Sequence, residues 1–164
     1  MKMSNSKIVL TVNNDKYEVV VRPWDTLAYT LREVLGFTGV KAGCDRGECG
    51  ACTVILGRLL VCSCQVLTIE CDNQEVTTIE GLGNEIKGEL HSIQKAFLEE
   101  HGFQCGFCAP AMILCAKHLL DHNPSPTLEE IKDAISGVLC RCTGYTPQIN
   151  AILKAANNTG GLHR

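Results

Sequence analysis

The sequence predicts an α+β protein in two parts: a small domain of hairpins and one helix, then an all-helical domain. Two observations carry this reading. Apolar residues alternate with a period of two along the first half, and the period changes to about 3.6 after residue 89. Between the halves lies "GLGNEIKGE" (81–89), which is polar, glycine-rich and without periodicity, and reads as a connector. The expected spans are 1–82 for the first domain, 83–89 for the linker and 90–164 for the second.

The elements follow in order. Ile8, Leu10 and Val12 alternate with polar residues, as do Tyr17, Val19 and Val21. The "NND" between them predicts a β-hairpin with one buried face. In "WDTLAYTLREVLG", Asp25 is placed to cap a helix whose inward face is Leu27, Leu31, Val34 and Leu35, with Gly36 closing it. "TVIL" (53–56) and "RLLVCS" (58–63) predict a second hairpin turning at Gly57, and "QEVTTIE" (74–80) a further strand. Four helices are expected next. "LHSIQKAFLEEHG" turns Leu90, Ile93, Phe97 and Leu98 inward. "APAMILCAKHLLDHN" carries Pro110 in its first turn. "TLEEIKDAISGVL" has capping-box spacing at Thr127 and Glu130. "PQINAILKAAN" opens at Pro147. Short connections between them suggest a bundle. A weak repeat runs through it: helix, cysteine pair, proline, helix occurs twice.

Composition narrows the function. A formal net charge of −3 argues against nucleic acid, which needs a basic face. No apolar run approaches the roughly 18 residues of a membrane span. "MKMSNSKIVLTVNND" turns polar too early for a signal peptide and has no twin arginine, so a cytoplasmic location is expected. In that compartment eleven cysteines point to metal rather than disulfides.

Cys44, Cys49 and Cys52 have C-x4-C-x2-C spacing, that of the plant-type [2Fe–2S] loop, which takes a fourth cysteine further on. Gly43, Gly47 and Gly50 let the backbone fold around a cluster and aim N–H groups at its sulfurs. Zinc is the rival, but zinc ribbons favour two separated C-x2-C knuckles. Cys62 and Cys64 both qualify as the fourth ligand; in one strand they would share a face, and spacing does not choose between them. Cys105, Cys108, Cys140 and Cys142 form a second set, "CGFC" and "CRC". A C-x2-C alone would also suit a redox dithiol, but that needs a βαβ setting. Spacing leaves iron–sulfur and zinc both open here. Cys62, Cys71 and Cys115 are otherwise expected to be non-ligands, Cys115 as core. The five histidines lack metal spacing, and Trp24 is expected in the core or an interface.

"GVKAGCDRGECGACTV", "VCSC", "QCGFCAP" and "LCRCTGY" together resemble the signatures of one family, the small iron–sulfur subunit of molybdenum hydroxylases (xanthine dehydrogenase and aldehyde oxidoreductase). The resemblance covers Ile8 to about Ala156. It implies that Cys64 completes the first [2Fe–2S] site and that the second set holds another [2Fe–2S] cluster. It implies a ferredoxin-like β-grasp domain followed by a four-helix bundle with near two-fold symmetry. It also implies a large subunit whose molybdopterin touches Gln104 and Cys142, and a medium subunit with FAD facing the first cluster. A heterotrimer, possibly dimerised, is the implied assembly. Ala109 and Ala111 depart from the family's usual Thr and Gly; neither is a ligand. Asp45 and Arg46 vary the first loop.

With no paired catalytic carboxylates, nucleophile elbow or phosphate loop, the chain reads as an electron relay without a substrate site of its own. The alternatives are a free-standing ferredoxin-like carrier and a zinc-stapled binding module. The partner's substrate, an N-heterocycle or purine or an aldehyde, is not written in this chain.

Overall fold

The computed structural model describes residues 4–83 and 88–159. Most of the expected connector, 84–87, and the chain ends lie outside them.

Two β-hairpins supply most of the sheet. Strands β1 (Ser6–Val12) and β2 (Asp15–Val21) pair antiparallel with Val12 opposite Asp15. The two-residue loop between them puts Asn13 and Asn14 at φ 52° and 74°, the left-handed pair of a type I′ turn, which asparagine tolerates. Strands β3 (Thr53–Leu56) and β4 (Leu59–Cys62) also turn through two residues, but here only Gly57 is left-handed, at φ 59°. Strand β5 (Glu75–Thr77) joins the hairpins, parallel to β1 and antiparallel to β3, in the order β2-β1-β5-β3-β4.

The first helix departs from the sequence reading. It begins as α1 (Leu27–Tyr29) and widens into a π-helical turn over Thr30–Val34. The wider turn rotates the following side chains outward, so Leu31 is fully buried but Val34 is exposed. Thr26, not Asp25, is the cap: its hydroxyl accepts from the Tyr29 N–H at 3.2 Å. Asp25 instead accepts from the backbone N–H and Nε of Arg22 at 2.8 and 2.9 Å. Trp24 is exposed, with the Arg22 guanidinium over its ring, so it is not core.

The helical half comprises α2 (Ser92–Glu99), α3 (Ala109–His122), α4 (Leu128–Ile135) and α5 (Thr146–Thr159). Helix α2 packs on α5, and α3 on α4. Both the predicted capping box at Thr127/Glu130 and an unpredicted one at His91/Gln94 are present. Because His91 caps α2, Leu90 precedes the helix; Leu90 and Leu98 are exposed, while Ile93 and Phe97 are buried.

Two cores result. Leu10, Val12, Val21, Leu27, Leu31 and Val54 build one; Phe97, Met112, Ile131, Ile135 and Ile152 build the other. Strand β3 belongs to both. Neighbouring residues on a strand point to opposite faces, so Val54 enters the sheet core while Ile55 enters the helical core against α3. That explains why "TVIL" is apolar without alternation.

Candidate metal centres

All eleven cysteines are free thiols. The loop from Gly43 to Cys52 is shaped by backbone. Gly47 and Gly50 take φ 77° and 66°, and Asp45 takes 54°. Gly43 needs no unusual φ; a Cβ there would lie 2.9 Å from Cys49 Sγ. This folding aims the N–H groups of Arg46 and Cys49 at Cys44 Sγ, each at 3.4 Å. Those two bonds pull the Cys44 thiol down to about 7.

Strand β4 ends at Cys62, and Cys64 lies in the 3-10 turn Ser63–Gln65. The two cysteines therefore do not share one strand. Cys64 is buried and hydrogen-bonds Cys52, whereas Cys62 Sγ is aimed at the Gly47 carbonyl at 3.8 Å. Ser63 fastens this turn to the loop, its hydroxyl donating to the Cys52 carbonyl at 2.6 Å. Burial pushes the Cys52 thiol up to about 12. The exposed Gln65 amide donates to Cys64 Sγ at 3.4 Å.

The second set is drawn from two chain segments. Cys108 is the N-cap residue of α3, and Cys140 and Cys142 lie before α5. Cys105 and Cys142 are exposed, with their sulfurs 3.5 Å apart. Cys108 is buried and hydrogen-bonded to Cys140. Burial pushes Cys108 up to about 12. At Cys140 partial burial also raises the thiol, but hydrogen bonds from Thr143 and Gln148 outweigh it and bring it down to about 6.

Three residues here escaped the sequence reading. Tyr145, at φ 69°, accepts the Cys140 N–H on its hydroxyl at 2.9 Å and donates to the Val138 carbonyl at 3.3 Å. Thr143 Oγ1 lies 3.3 Å from Cys140 Sγ. Gln148 is fully buried, and its amide nitrogen lies 3.6 Å from Cys108 Sγ. A signal existed for Gln148: it shares the inward stripe of Ala151, Ile152 and Ala155, where a polar residue is out of place. Gln104 is exposed beside Cys105. Cys71 and Cys115 are buried, with Cys115 pushed up to about 12 by burial.

The two sets touch. The Leu139 N–H donates to the Cys49 carbonyl at 2.9 Å. Phe107, between Cys105 and Cys108, lies against Gly43, beside Cys44.

The thiols thus come in pairs: Cys44 with Cys49, Cys52 with Cys64, Cys105 with Cys142, Cys108 with Cys140. Among the described residues no three or more His, Cys, Asp or Glu side chains gather as a single metal ion would require. Four thiolates taken as two pairs suit a two-iron cluster, which takes two on each iron. Thiols pushed to about 12, as at Cys52 and Cys108, ionise at neutral pH beside a cation. The donor set fits.

Two sets of paired thiols, one beside the sheet and one among the helices, fit a double iron–sulfur protein. Family models agree: a 2Fe-2S iron-sulfur cluster binding domain matches residues 10–75 and a [2Fe-2S] binding domain matches 78–153. The nicotinate dehydrogenase small FeS subunit of Eubacterium barkeri is 46% identical, over 94% of this chain and 96% of its own. The nicotine 6-hydroxylase small subunit of Paenarthrobacter nicotinovorans is 42% identical, over 94% and 92%. A chain of quinoline 2-oxidoreductase from Pseudomonas putida 86 superposes with a TM-score of 0.91 at 36% identity, covering 96% of this chain and 98% of that one. The chain belongs to the small iron–sulfur subunits of the molybdenum hydroxylase family, and is an electron-transfer subunit with two [2Fe–2S] domains.

Proposed function

We propose that the chain relays electrons between a molybdopterin centre in a large subunit and FAD in a medium subunit, in a cytoplasmic heterotrimer that dimerises. Cys44, Cys49, Cys52 and Cys64 hold the first cluster. Cys105, Cys108, Cys140 and Cys142 hold the second. When bound, each [2Fe–2S] cluster takes up and releases one electron at a time, which matches a two-electron oxidation to one-electron steps. The chain's own part is to exclude water from Cys52, Cys64 and Cys108, to aim N–H donors at sulfur, and to hold the two sets against one another. Gln104 and Cys142 meet the pterin, which their exposure permits. The sheet domain (1–82) is a ferredoxin-like β-grasp, and the helical domain (90–164) a four-helix bundle, with 83–89 between them. The relatives named for nicotinate, nicotine and quinoline favour an N-heterocycle as the large subunit's substrate.

The observation that carries this reading is the Leu139–Cys49 hydrogen bond. It joins the two cysteine loops while Cys105 and Cys142 stay at the surface, an arrangement for passing charge through the chain. The test is the metal content of the complex purified from its native host. About four irons and one molybdenum per copy of this chain are expected from two [2Fe–2S] clusters beside one molybdenum centre. Zinc in place of iron overturns the reading. Cys49→Ser in that complex is expected to abolish or alter one of two reduced-cluster EPR signals; if both persist unchanged, Cys49 is not a ligand.

A further inference from the structure

Gln148 is the one fully buried amide side chain among the described residues. It projects from α5 at a position where the helix otherwise buries alanine and isoleucine, at Ala151, Ile152 and Ala155. An amide taken out of water without partners is destabilising. This one is satisfied, as are all buried side-chain nitrogens and oxygens among the described residues. Its Nε2 lies 3.6 Å from Cys108 Sγ and also hydrogen-bonds Cys140. Its Oε1 accepts from the Thr143 hydroxyl at 3.1 Å.

The acceptors decide what this arrangement is for. A neutral thiol is a weak acceptor, a poor reason to bury an amide. A metal-bound thiolate is a strong one. An amide has two N–H groups, and here they serve the buried Cys108 sulfur and the half-buried Cys140 sulfur. Exchanging the oxygen and nitrogen would turn the carbonyl toward two thiolates, so ligated sulfur fixes the orientation. Thr143 adapts to either state. Its single proton goes to Gln148 Oε1 beside a thiol and to Cys140 Sγ, 3.3 Å away, beside a thiolate.

We propose that Gln148 is a positioning and potential-setting residue for the second cluster, its amide donating to the Cys108 and Cys140 sulfurs and favouring the reduced state. This rests on the assignment of those cysteines as ligands. Reduction adds negative charge that spreads onto the thiolate sulfurs, so donors aimed at them stabilise the reduced form and raise the potential. The Gln148 amide and the Cys108 sulfur are both buried, where a hydrogen bond is stronger electrostatically. The effect is confined to one centre, because the other cysteine set takes its donors from different residues.

The experiment is a redox titration of the whole complex, followed by EPR of the two reduced clusters, with iron counted per chain. Gln148→Leu keeps the volume and removes both donors. It is expected to retain its iron and both signals, and to lower the second cluster's midpoint while the first is unmoved. A roughly tenfold weaker one-electron reduction reads as a fall of about 59 mV. An unmoved midpoint with iron retained overturns the proposal and leaves Gln148 as packing. If the variant fails to assemble its second cluster, the unsubstituted complex decides. With glutamine side-chain nitrogen labelled as ¹⁵N in a Gln104→Glu complex, which removes the other glutamine amide beside this cysteine set, a hyperfine coupling to the reduced second cluster is expected, and its absence overturns the proposal. A complex whose unsubstituted chain lacks a second EPR signal refutes the ligand assignment itself, a distinct failure.

Discussion

The two cysteine sites hold the same number of thiols but are built from different materials. The first is largely one loop, shaped by Gly47, Gly50 and Asp45 in left-handed conformations, with backbone N–H groups on Cys44. Its side-chain donor, Gln65, is exposed. The second joins two distant segments, and side chains hold it: Tyr145 the Cys140 backbone, Thr143 and Gln148 the sulfurs. A continuous loop carries its geometry in its own backbone dihedrals. A site closed between helices needs cross-links, because neither segment fixes the other's position.

The sharpest way to break the first site is therefore through a backbone atom. In Gly50→Ala the new Cβ is strained at φ 66° and runs into the Gly137 carbonyl oxygen. Strain of roughly 1–2 kcal/mol and overpacking of about 1–3 kcal/mol add, and the change strikes where the two loops meet. Thermal melting is expected to fall steeply and both EPR signals to be perturbed; a melt close to the unsubstituted protein's means that the loops do not depend on this approach.

Tyr145→Phe is the matching break in the second site. It leaves the Cys140 N–H and the Val138 carbonyl without their hydroxyl partner, a loss of about 1–3 kcal/mol. Iron should leave the second site at a lower denaturant concentration while the first is unchanged. Equal loss from both sites counts against a side-chain cross-link specific to one.

Helix ends in the second half also depend on side chains. His91 Nδ1 accepts the Ile93 N–H at 3.3 Å. Partial burial, with Lys117 adding repulsion, holds its pKa below the ordinary 6.5. The folded state thus prefers the neutral ring. Its contribution is complete above 6.5 and is lost as pH falls from 6.5 through the lowered folded value. His91→Asn caps without titrating. The melting-temperature gap between the two proteins should shift in favour of the variant as pH drops below 6.5; a constant gap excludes His91 as the titrating cap.

The smallest effect is expected at Gln65. Water competes for its amide, so Gln65→Leu should change stability by less than about 0.5 kcal/mol. It should also move the first cluster's midpoint less than Gln148→Leu moves the second. An equal shift would show that burial is not what distinguishes the two amides.

The same contrast decides what could be read in the sequence. The first loop was legible because its spacing and glycines are local, and local turn chemistry also gave both hairpins. Cys64 could not be separated from Cys62 on spacing, because that choice depends on where β4 ends. Val34 was misplaced because a π-helical turn shifts the helical phase without a residue that announces it. Asp25 has the right chemistry for a cap, but Arg22 engages it first. In the second site Thr143, Tyr145 and Gln148 went unread because their partners come from fold closure. Only a polar residue on an apolar stripe could have pointed to the last of them.

Strand β3 has a consequence for how such a protein can be divided. With Val54 in one core and Ile55 in the other, the strand is a shared wall. Cut away where the two family matches meet, between residues 75 and 78, the sheet half would present Ile55 and its bare glycine loop to water, an apolar scar that invites aggregation. The gene can be split at that point far more readily than the folded object can, and a soluble one-cluster carrier made from this chain would first need a new outer face for β3.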